Sequence, residues 1–191
     1  RPEGTAAIAR AYINHGMLNL PQPVKLWYLG PFFRREKPQA GRFRQFHQFG
    51  VEILGDSHPI LDAEVIIIAW TYLKDLDVAV SIHINSIGCL SCRALYRQEL
   101  TNFYQGKKEL LCTVCKERLE HNPLRLLDCK EPGCVELKEE APQMIKSLSE
   151  ASKKRFKTLL EFLDESNVPY FINPHLVRGF DYYTDTVFEV F

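Results

Sequence analysis

The chain has 191 residues, with 24 Lys and Arg against 24 Asp and Glu, so its formal net charge is zero. A balanced charge excludes bulk electrostatic attraction to nucleic acid or to an anionic surface, which would have to involve a local patch. Hydrophobic residues make up 46% of the chain and aromatic residues 12%, a composition that favours a sizeable folded core over disorder.

The sequence contains no signal for a membrane or for export. The longest apolar run, at residues 65–70, is far too short to span a bilayer, and the first residues do not have the pattern of a signal peptide. A cytoplasmic protein that contacts no membrane is therefore expected. Because the chain starts without Met and ends inside a strand-like pattern, we expect it to be a piece of a longer protein.

Helical and strand-like patterns alternate along the first half of the chain. An Ala-rich segment closed by Gly16 is typical of a helix, and apolar residues three and four apart indicate a second one. Two aromatic-rich runs around a loop that contains Pro and Gly predict a long antiparallel hairpin. The predicted elements are a helix at residues 5–15, strands at 25–35 and 44–54, a helix at 60–76 and a strand at 78–85.

The second half begins with a change of composition at Gly88. Residues 89–157 are helical, charged and rich in cysteine, a helix is predicted at 152–164, and strand character returns over 176–191. Strands joined by hairpins predict an α+β fold, with an antiparallel sheet flanked by helices, rather than a doubly wound parallel sheet. The predicted domains are a first part of the core at residues 1–88, a mostly helical insertion at 89–168 and a return to the core at 169–191.

The hairpin loop concentrates charged side chains. Five basic residues lie there: Arg34, Arg35, Lys37, Arg42 and Arg44. Period-two alternation puts Phe46, Gln48 and Glu52 on one face of their strand. In the same way, it puts Arg34 and Glu36 on one face of the preceding strand. Such a face suits a polyphosphate and an amine better than a core, because the arginine fork matches phosphate oxygens. A solvated charged loop is the alternative interpretation.

Two further segments carry polar groups that purely structural roles would also explain. Residues 1–5 read Arg-Pro-Glu-Gly-Thr, where Glu3 or Thr5 would cap the first helix. Residues 176–183 place Arg178 close to Tyr182 and Tyr183, an arrangement that is common in ordinary packing.

Taken together, these segments resemble the catalytic core of the histidyl-tRNA synthetases. The resemblance rests on RPEGT at residues 1–5, GPFFRREKPQAGRFRQFHQFGVE at 30–52 and LVRGFDYYTDTVF at 176–188. The second segment is similar to motif 2 of class II synthetases, and the third is similar to a segment typical of the histidine enzymes. The resemblance implies a class II antiparallel sheet that activates L-histidine with ATP and Mg²⁺ and then transfers it to tRNA(His).

The resemblance also implies which parts of the enzyme are missing from this chain and which residues form its catalytic and binding sites. Motifs 1 and 3 and the anticodon-binding domain have no counterpart here, so a partial catalytic core is expected, with a homodimer for the full-length protein. Arg34 and Arg178 would be catalytic, on opposite faces of the α-phosphate. The implied ATP-binding residues are Arg34, Glu36, Arg42, Phe46 and Arg178. The implied histidine-binding residues are Glu3, Gly4, Thr5, Gln48, Glu52, Tyr182 and Tyr183.

Six cysteines lie in the insertion, in closely spaced pairs. In a chain expected to be cytoplasmic, such spacing favours a closed structural zinc site over disulfides. Cys112 and Cys115 would join either Cys89 and Cys92, across a gap of 19 residues, or Cys129 and Cys134, across a gap of 13. Six reduced cysteines that pack a small helical domain are the alternative.

Other functions compete with the enzyme. By resemblance the insertion leans over the tRNA acceptor stem, where basic side chains would contact phosphates or only be solvated: Lys107, Lys108, Lys116, Arg118, Arg125 and Lys130. One rival is a non-catalytic paralogue, the regulatory subunit of ATP phosphoribosyltransferase, and another is a zinc-stabilised nucleic-acid-binding module. The enzyme is favoured because its implied residues are present: Glu3, Arg34, Gln48, Glu52, Arg178 and Tyr183.

Overall fold

The computed structural model describes residues 1–35, 37, 39–178 and 183–191, which divide into two compact units, Arg1–Leu61 and Asp62–Phe191. Two predicted site residues, Glu36 and Tyr182, lie outside the described residues. The helices are α1 Thr5–Asn14, α2 Pro59–Asp75, α3 Leu90–Gln105, α4 Thr113–His121, α5 Pro132–Glu139 and α6 Glu150–Glu165. The strands are β1 Val24–Phe33, β2 Gln45–Leu54, β3 Ile82–Ser86, β4 Phe171–Ile172 and β5 Thr186–Val190.

The first unit is built on the predicted hairpin. Strands β1 and β2 pair antiparallel along their whole length, from Val24 opposite Leu54 to Phe33 opposite Gln45. Even-numbered residues of both strands share one face, and those of β1 are less exposed than their odd-numbered neighbours. At the tip, Gln39 and Arg42 close a turn in which Gly41 has a φ of 75°, a left-handed conformation that glycine adopts without strain.

The second unit contains a three-stranded sheet in the order β4-β3-β5. Strand β3 pairs antiparallel with β5, as the α+β prediction requires, but it pairs parallel with β4. The sheet is therefore mixed, with one short parallel pair beside the predicted antiparallel pairing. A strand of two residues is too short to leave a periodic signal in the sequence, which explains why β4 was not predicted.

Two predicted strands are shorter in the structure. Residues 78–81 are not part of β3: Val78 still closes the end of α2 through a bond from its N–H to the Leu73 carbonyl (3.0 Å), and only Ser81 continues the pairing, by two backbone hydrogen bonds with Phe191 (2.8 and 2.9 Å). Residues 176–178 are not part of β5. Their segment is bound instead by the Asn85 side chain, whose Nδ2 donates to the carbonyls of Pro174 (3.3 Å) and Leu176 (3.0 Å).

Two large hydrophobic clusters, and a smaller one of Ile87, Leu176 and Val187, stabilise the described part of the second unit. One packs the sheet against α2 and α6 through Ile84, Ile66 and Leu159, all of them fully buried. The other lies mostly in the predicted insertion and contains Tyr96 and Leu100 of α3 together with buried cysteines. None of the helices in the described residues has the length and apolar character needed to cross a membrane.

Candidate functional site

A part-buried hydrogen bond joins Glu52 to Thr5 in the first unit. The Thr5 hydroxyl donates to Glu52 Oε1 at 2.7 Å and so connects the start of α1 to β2. Burial raises the pKa of Glu52 above its usual value, the hydrogen bond from Thr5 opposes that shift, and the nearby charge of Glu3 adds to it. The result is a half-buried carboxylate with remaining capacity to accept N–H groups.

Glu3 caps the first helix in this structure. Both of its carboxylate oxygens accept from the Ala6 N–H at 3.2 Å, so the helix-cap interpretation of the sequence describes the geometry seen here. A negative charge at this helix end also interacts favourably with the helix dipole.

Gln48 lies on the same strand face as Glu52, with one half of its amide satisfied. Its Nε2 donates to the Tyr28 hydroxyl at 3.2 Å. Its Oε1 is buried and has no hydrogen-bond partner among the described residues. A buried acceptor without a donor carries a free-energy penalty, which an incoming ammonium or N–H group would relieve.

Tyr28 contacts the predicted site residue Gln48, and the sequence analysis did not identify it. A Cβ atom at Gly4 would lie 2.3 Å from Tyr28 Cζ, and one at Gly50 would lie 2.2 Å from it, so only glycines leave room for this ring. Tyr28 also lies directly opposite Gly50 in the hairpin register. An aromatic residue facing a glycine across two strands was the signal in the sequence, since such pairs stabilise hairpins.

The hairpin tip brings predicted nucleotide-binding residues together. A cleft of about 290 Å³ is lined by Arg34, Gly41, Arg42, Phe43 and Phe46. Arg34 Nε donates to the Pro2 carbonyl at 2.9 Å, and its guanidinium carbon lies 4.7 Å from the centroid of the Phe46 ring. The cleft thus combines cationic forks with an aromatic face, a chemistry that suits phosphates and a flat base.

Arg178 and Tyr183 belong to the second unit. Arg178 donates to the Phe188 carbonyl at 2.9 Å, and its guanidinium lies 3.7 Å from the Glu189 carboxylate. The carbonyl of Tyr183 accepts from Arg93 Nη1 at 2.7 Å. Arg93, on helix α3 of the insertion, is only 6% exposed. It positions the backbone of a predicted site residue, a role that nothing in its sequence context indicated.

The cysteines of the insertion separate into two groups. The sulfurs of Cys112, Cys115, Cys129 and Cys134 all lie within 4.8 Å of one another. Cys89 and Cys92 form a pair of their own, with sulfurs 3.2 Å apart. A hydrogen bond with Ser91, together with contacts from Cys92, lowers the pKa of the Cys89 thiol to about 6. Of the two predicted combinations, only the one with Cys129 and Cys134 brings four thiols together.

Several of the basic residues predicted to face tRNA are paired with carboxylates. Lys107 pairs with Glu140, Lys108 lies 3.0 Å from Glu120, and Lys116 lies 3.3 Å from Glu109. Arg118 donates to the Arg125 carbonyl at 3.0 Å. These contacts are those of a solvated surface with both charge signs.

Comparison with known proteins places these features in a family. The family model described as Histidyl-tRNA synthetase matches residues 1–191. Histidine–tRNA ligases from Desulfitobacterium hafniense strain Y51 and from Thermodesulfovibrio yellowstonii are each 50% identical over all of this chain, which covers 45% and 46% of their lengths. The chain thus spans about half the length of the curated relatives it matches.

Solved structures of histidyl-tRNA synthetases are also similar to this chain. An apo histidyl-tRNA synthetase from S. aureus is 37% identical, with a TM-score of 0.76 over all of this chain and 44% of that protein. A histidyl-tRNA synthetase from Nostoc sp. PCC 7120, at 19% identity and a TM-score of 0.57, shares the fold. The matched family, the curated relatives and the shared α+β architecture lead to one conclusion: this chain belongs to the histidyl-tRNA synthetase family.

Proposed function

We propose that the protein carrying this chain is a histidine–tRNA ligase, which uses ATP to form histidyl-adenylate and transfers the histidyl group to tRNA(His). Family membership supports the reaction, and one observation in the first unit supports the site. The half-buried Glu52, bonded to Thr5, shares a strand face with Gln48, whose buried amide oxygen lacks a partner among the described residues. That face offers acceptors to a small cationic or N–H-bearing ligand.

In this proposal, the histidine side chain is recognised through both of its nitrogens. Neutral imidazole has one donor and one acceptor nitrogen, so Glu52 would accept its N–H while the Tyr183 hydroxyl adapts to the other nitrogen. The α-ammonium would donate to Glu3 and to the unpaired oxygen of Gln48. Gly4 and Thr5 would shape that end of the pocket, and Tyr182 would border it.

The activation step needs positioning and fixed positive charge. The histidine carboxylate attacks the α-phosphorus, a new C–O–P link forms, and pyrophosphate leaves with the electrons of the broken P–O bond. Both reactants are anionic, so Arg34 and Arg178 would stabilise charge on the non-bridging oxygens, and arginine stays charged even in a dry site. Mg²⁺ bound with ATP would neutralise part of the phosphate charge.

The remaining nucleotide contacts follow from the cleft at the hairpin tip. Arg42 would reach the terminal phosphates, Glu36 would meet the adenine, and Phe46 would stack on the base. The Arg34 guanidinium now lies over the Phe46 ring, on the face where the base would stack. It would leave that face when Arg34 binds a phosphate, so base stacking and phosphate binding would occur together. ATP would thus draw the guanidinium from the ring to the α-phosphate.

The proposal extends to the organisation of the whole protein. Residues 1–88 and 169–191 would form parts of the catalytic core, and residues 89–168 would be an insertion that contacts the acceptor stem of tRNA and holds a structural zinc ion. Homodimerisation and a cytoplasmic location remain predictions from the sequence.

Histidine-dependent exchange between ATP and pyrophosphate tests the proposed reaction in the protein that carries this chain. We expect Arg34→Ala to lower the exchange rate by about 100-fold or more, because a charge that acts in the transition state is lost. The neighbouring exposed Arg35→Ala is the matched control and should retain the exchange activity. Histidine binding without any exchange would contradict the enzyme and support the regulatory paralogue.

A further inference from the structure

The spacing of four sulfur atoms in the insertion matches a metal coordination shell. Zinc bound by four thiolates at about 2.3 Å holds them about 3.8 Å apart at the corners of a tetrahedron. Cys112 and Cys129 have sulfurs 3.9 Å apart, and the complete set with Cys115 and Cys134 lies within 4.8 Å. The 3.9 Å separation is almost twice a disulfide bond length of about 2.05 Å.

Three of these four sulfurs lie at the N-terminal ends of short helices. Cys112 is the N-cap residue of α4, Cys115 follows in the first turn of that helix, and Cys134 lies in the first turn of α5. Cys129 follows the 3-10 helix Pro123–Leu126 and donates its N–H to the Leu126 carbonyl at 3.1 Å. Helix N-termini carry partial positive charge, which stabilises thiolates collected at one point.

Hydrogen-bond donors also lie near the four cysteine sulfurs. The Cys112 N–H donates to Cys134 Sγ at 3.4 Å, a contact that orients a ligand and offsets its negative charge. Tyr104 is 1% exposed and belongs to the same cluster of buried residues as Cys115, Cys129 and Cys134. Its hydroxyl is buried without a hydrogen-bond partner among the described residues, which leaves a donor for a thiolate.

From this geometry we propose that Cys112, Cys115, Cys129 and Cys134 bind one zinc ion as a closed tetrathiolate site, separate from the proposed catalytic chemistry. Soft thiolate ligands select zinc, iron or Cu(I), and a tetrahedral set of four sulfurs is typical of zinc or iron. Four protein ligands leave no open position for a substrate, so the ion is structural. This identifies the ligands of the zinc proposed for the insertion.

Cys89 and Cys92 stay outside the site. Among the described residues, no third His, Cys, Asp or Glu ligand joins this pair in a metal-sized group. The Cys92 sulfur accepts instead from the Ser149 N–H at 3.2 Å, a contact within the protein fold.

The zinc ion would connect elements that are too short to be stable alone. Helices α4 and α5 have 9 and 8 residues. Isolated helices shorter than about 12 residues are marginal in water. A zinc ion that ties both helices to the 3-10 segment between them contributes its binding free energy to folding, because the unfolded chain has no preformed site.

Metal analysis of the protein purified without chelator tests the proposal. We expect about one zinc per chain in the unmodified protein and less than about a tenth of that in Cys112→Ser. Cys89→Ser is the matched control, because Cys89 and Cys112 are both half-buried N-cap residues of CxxC helices, and serine is itself a good N-cap. We expect Cys89→Ser to retain its zinc.

A second measurement does not depend on a variant that folds. Cobalt(II) added to the reduced, zinc-stripped protein should saturate near one equivalent and give the visible and charge-transfer bands of a tetrahedral tetrathiolate. Less than about a tenth of an equivalent of zinc in the unmodified protein would overturn the proposal, as would equal zinc loss in both variants. Iron in place of zinc, or an octahedral cobalt spectrum, would overturn it too. Pyrophosphate exchange measures the proposed enzyme separately.

Discussion

At the residue scale, two glycines determine where the Tyr28 ring can lie. The ring occupies space next to Gly4 on α1's N-terminal side and next to Gly50 on β2, and a methyl group at either position would overlap it. Its hydroxyl accepts from Gln48, so the position of the ring also sets the position of a predicted histidine ligand. The two glycines thus set the position of the Tyr28 ring and, through it, that of the Gln48 side chain.

We expect Gly50→Ala to push the Tyr28 ring away from Gln48 and to lower the free energy of unfolding by about 1–3 kcal/mol, as overpacking usually does. Urea unfolding of Gly50→Ala, Tyr28→Ala and the double variant measures the coupling. With Tyr28 reduced to alanine, the new methyl group has room, so the second substitution should cost much less in that background. Additive losses would contradict the proposed overlap.

Glu52 should destabilise the ligand-free protein at neutral pH. Burial raises its pKa, so the folded protein holds this proton more tightly than the unfolded chain does. Stability should therefore fall as the pH rises from the usual carboxyl pKa through the raised one, and the full penalty applies above it. We expect Glu52→Gln to have a higher Tm at neutral pH and to lose this part of the pH dependence, which calorimetric melting at several pH values measures.

In contrast to Glu52→Gln, Thr5→Val should destabilise the protein. It removes the donor that now satisfies Glu52 Oε1 and keeps the shape of the side chain. The loss of a hydrogen bond to a charged group should lower the free energy of unfolding by roughly 1–2 kcal/mol at neutral pH. A Thr5→Val protein as stable as the unmodified one would show that the hydroxyl does not matter to Glu52.

At the element scale, the hairpin could be predicted because its pattern and its pairing agree. Alternating aromatic and polar residues on both sides of a Pro- and Gly-containing loop predicted two strands, and the structure confirms them within two residues at each end. The same alternation placed Gln48 and Glu52 on one face. Tyr28 and Gly50 both lie in these predicted strands, but only the register of the hairpin shows that they face each other.

The second unit was harder to predict because side chains, rather than neighbouring strands, bind parts of its backbone. Asn85 is completely buried and donates to the carbonyls of Pro174 and Leu176, the second of which lies at the start of the strand predicted over 176–191. The Arg93 bond to the Tyr183 carbonyl joins residues 90 positions apart. Contacts of this range depend on the finished fold and leave no local periodicity.

Asp62 joins three elements of the second unit. Its Oδ2 accepts from Arg155 of α6 at 2.6 Å and from Thr186 of β5 at 2.8 Å. We expect Asp62→Ala to lower the free energy of unfolding by about 2 kcal/mol, less than for a fully buried pair, because solvent screens these side chains in part. Glu161→Ala, which breaks the exposed pair with Lys157, should cost only about 0.3–0.5 kcal/mol. Equal losses in urea unfolding would contradict the assigned role of Asp62.

At the scale of the whole molecule, the zero net charge of this chain means that the proposed tRNA binding would depend on a few local cations. Lys116 already pairs with Glu109, so a phosphate contact there would exchange one ion pair for another. We expect Lys130→Ala to reduce the slope of log affinity against log salt by about 0.7–1, the value for one phosphate contact. Lys116→Ala should change the slope less in the same binding titrations. The reverse order would contradict this assignment.

The most direct test of the account is calorimetric titration of the protein that carries this chain with L-histidine and, separately, with ATP. If Glu52 accepts the imidazole N–H, Glu52→Gln should weaken histidine binding by at least about tenfold, the effect of losing one charge-assisted hydrogen bond. ATP affinity should stay within about twofold, because Glu52 lies outside the nucleotide cleft. The expected rise in Tm of this variant excludes unfolding as the cause. An unchanged histidine dissociation constant would contradict the proposed histidine site.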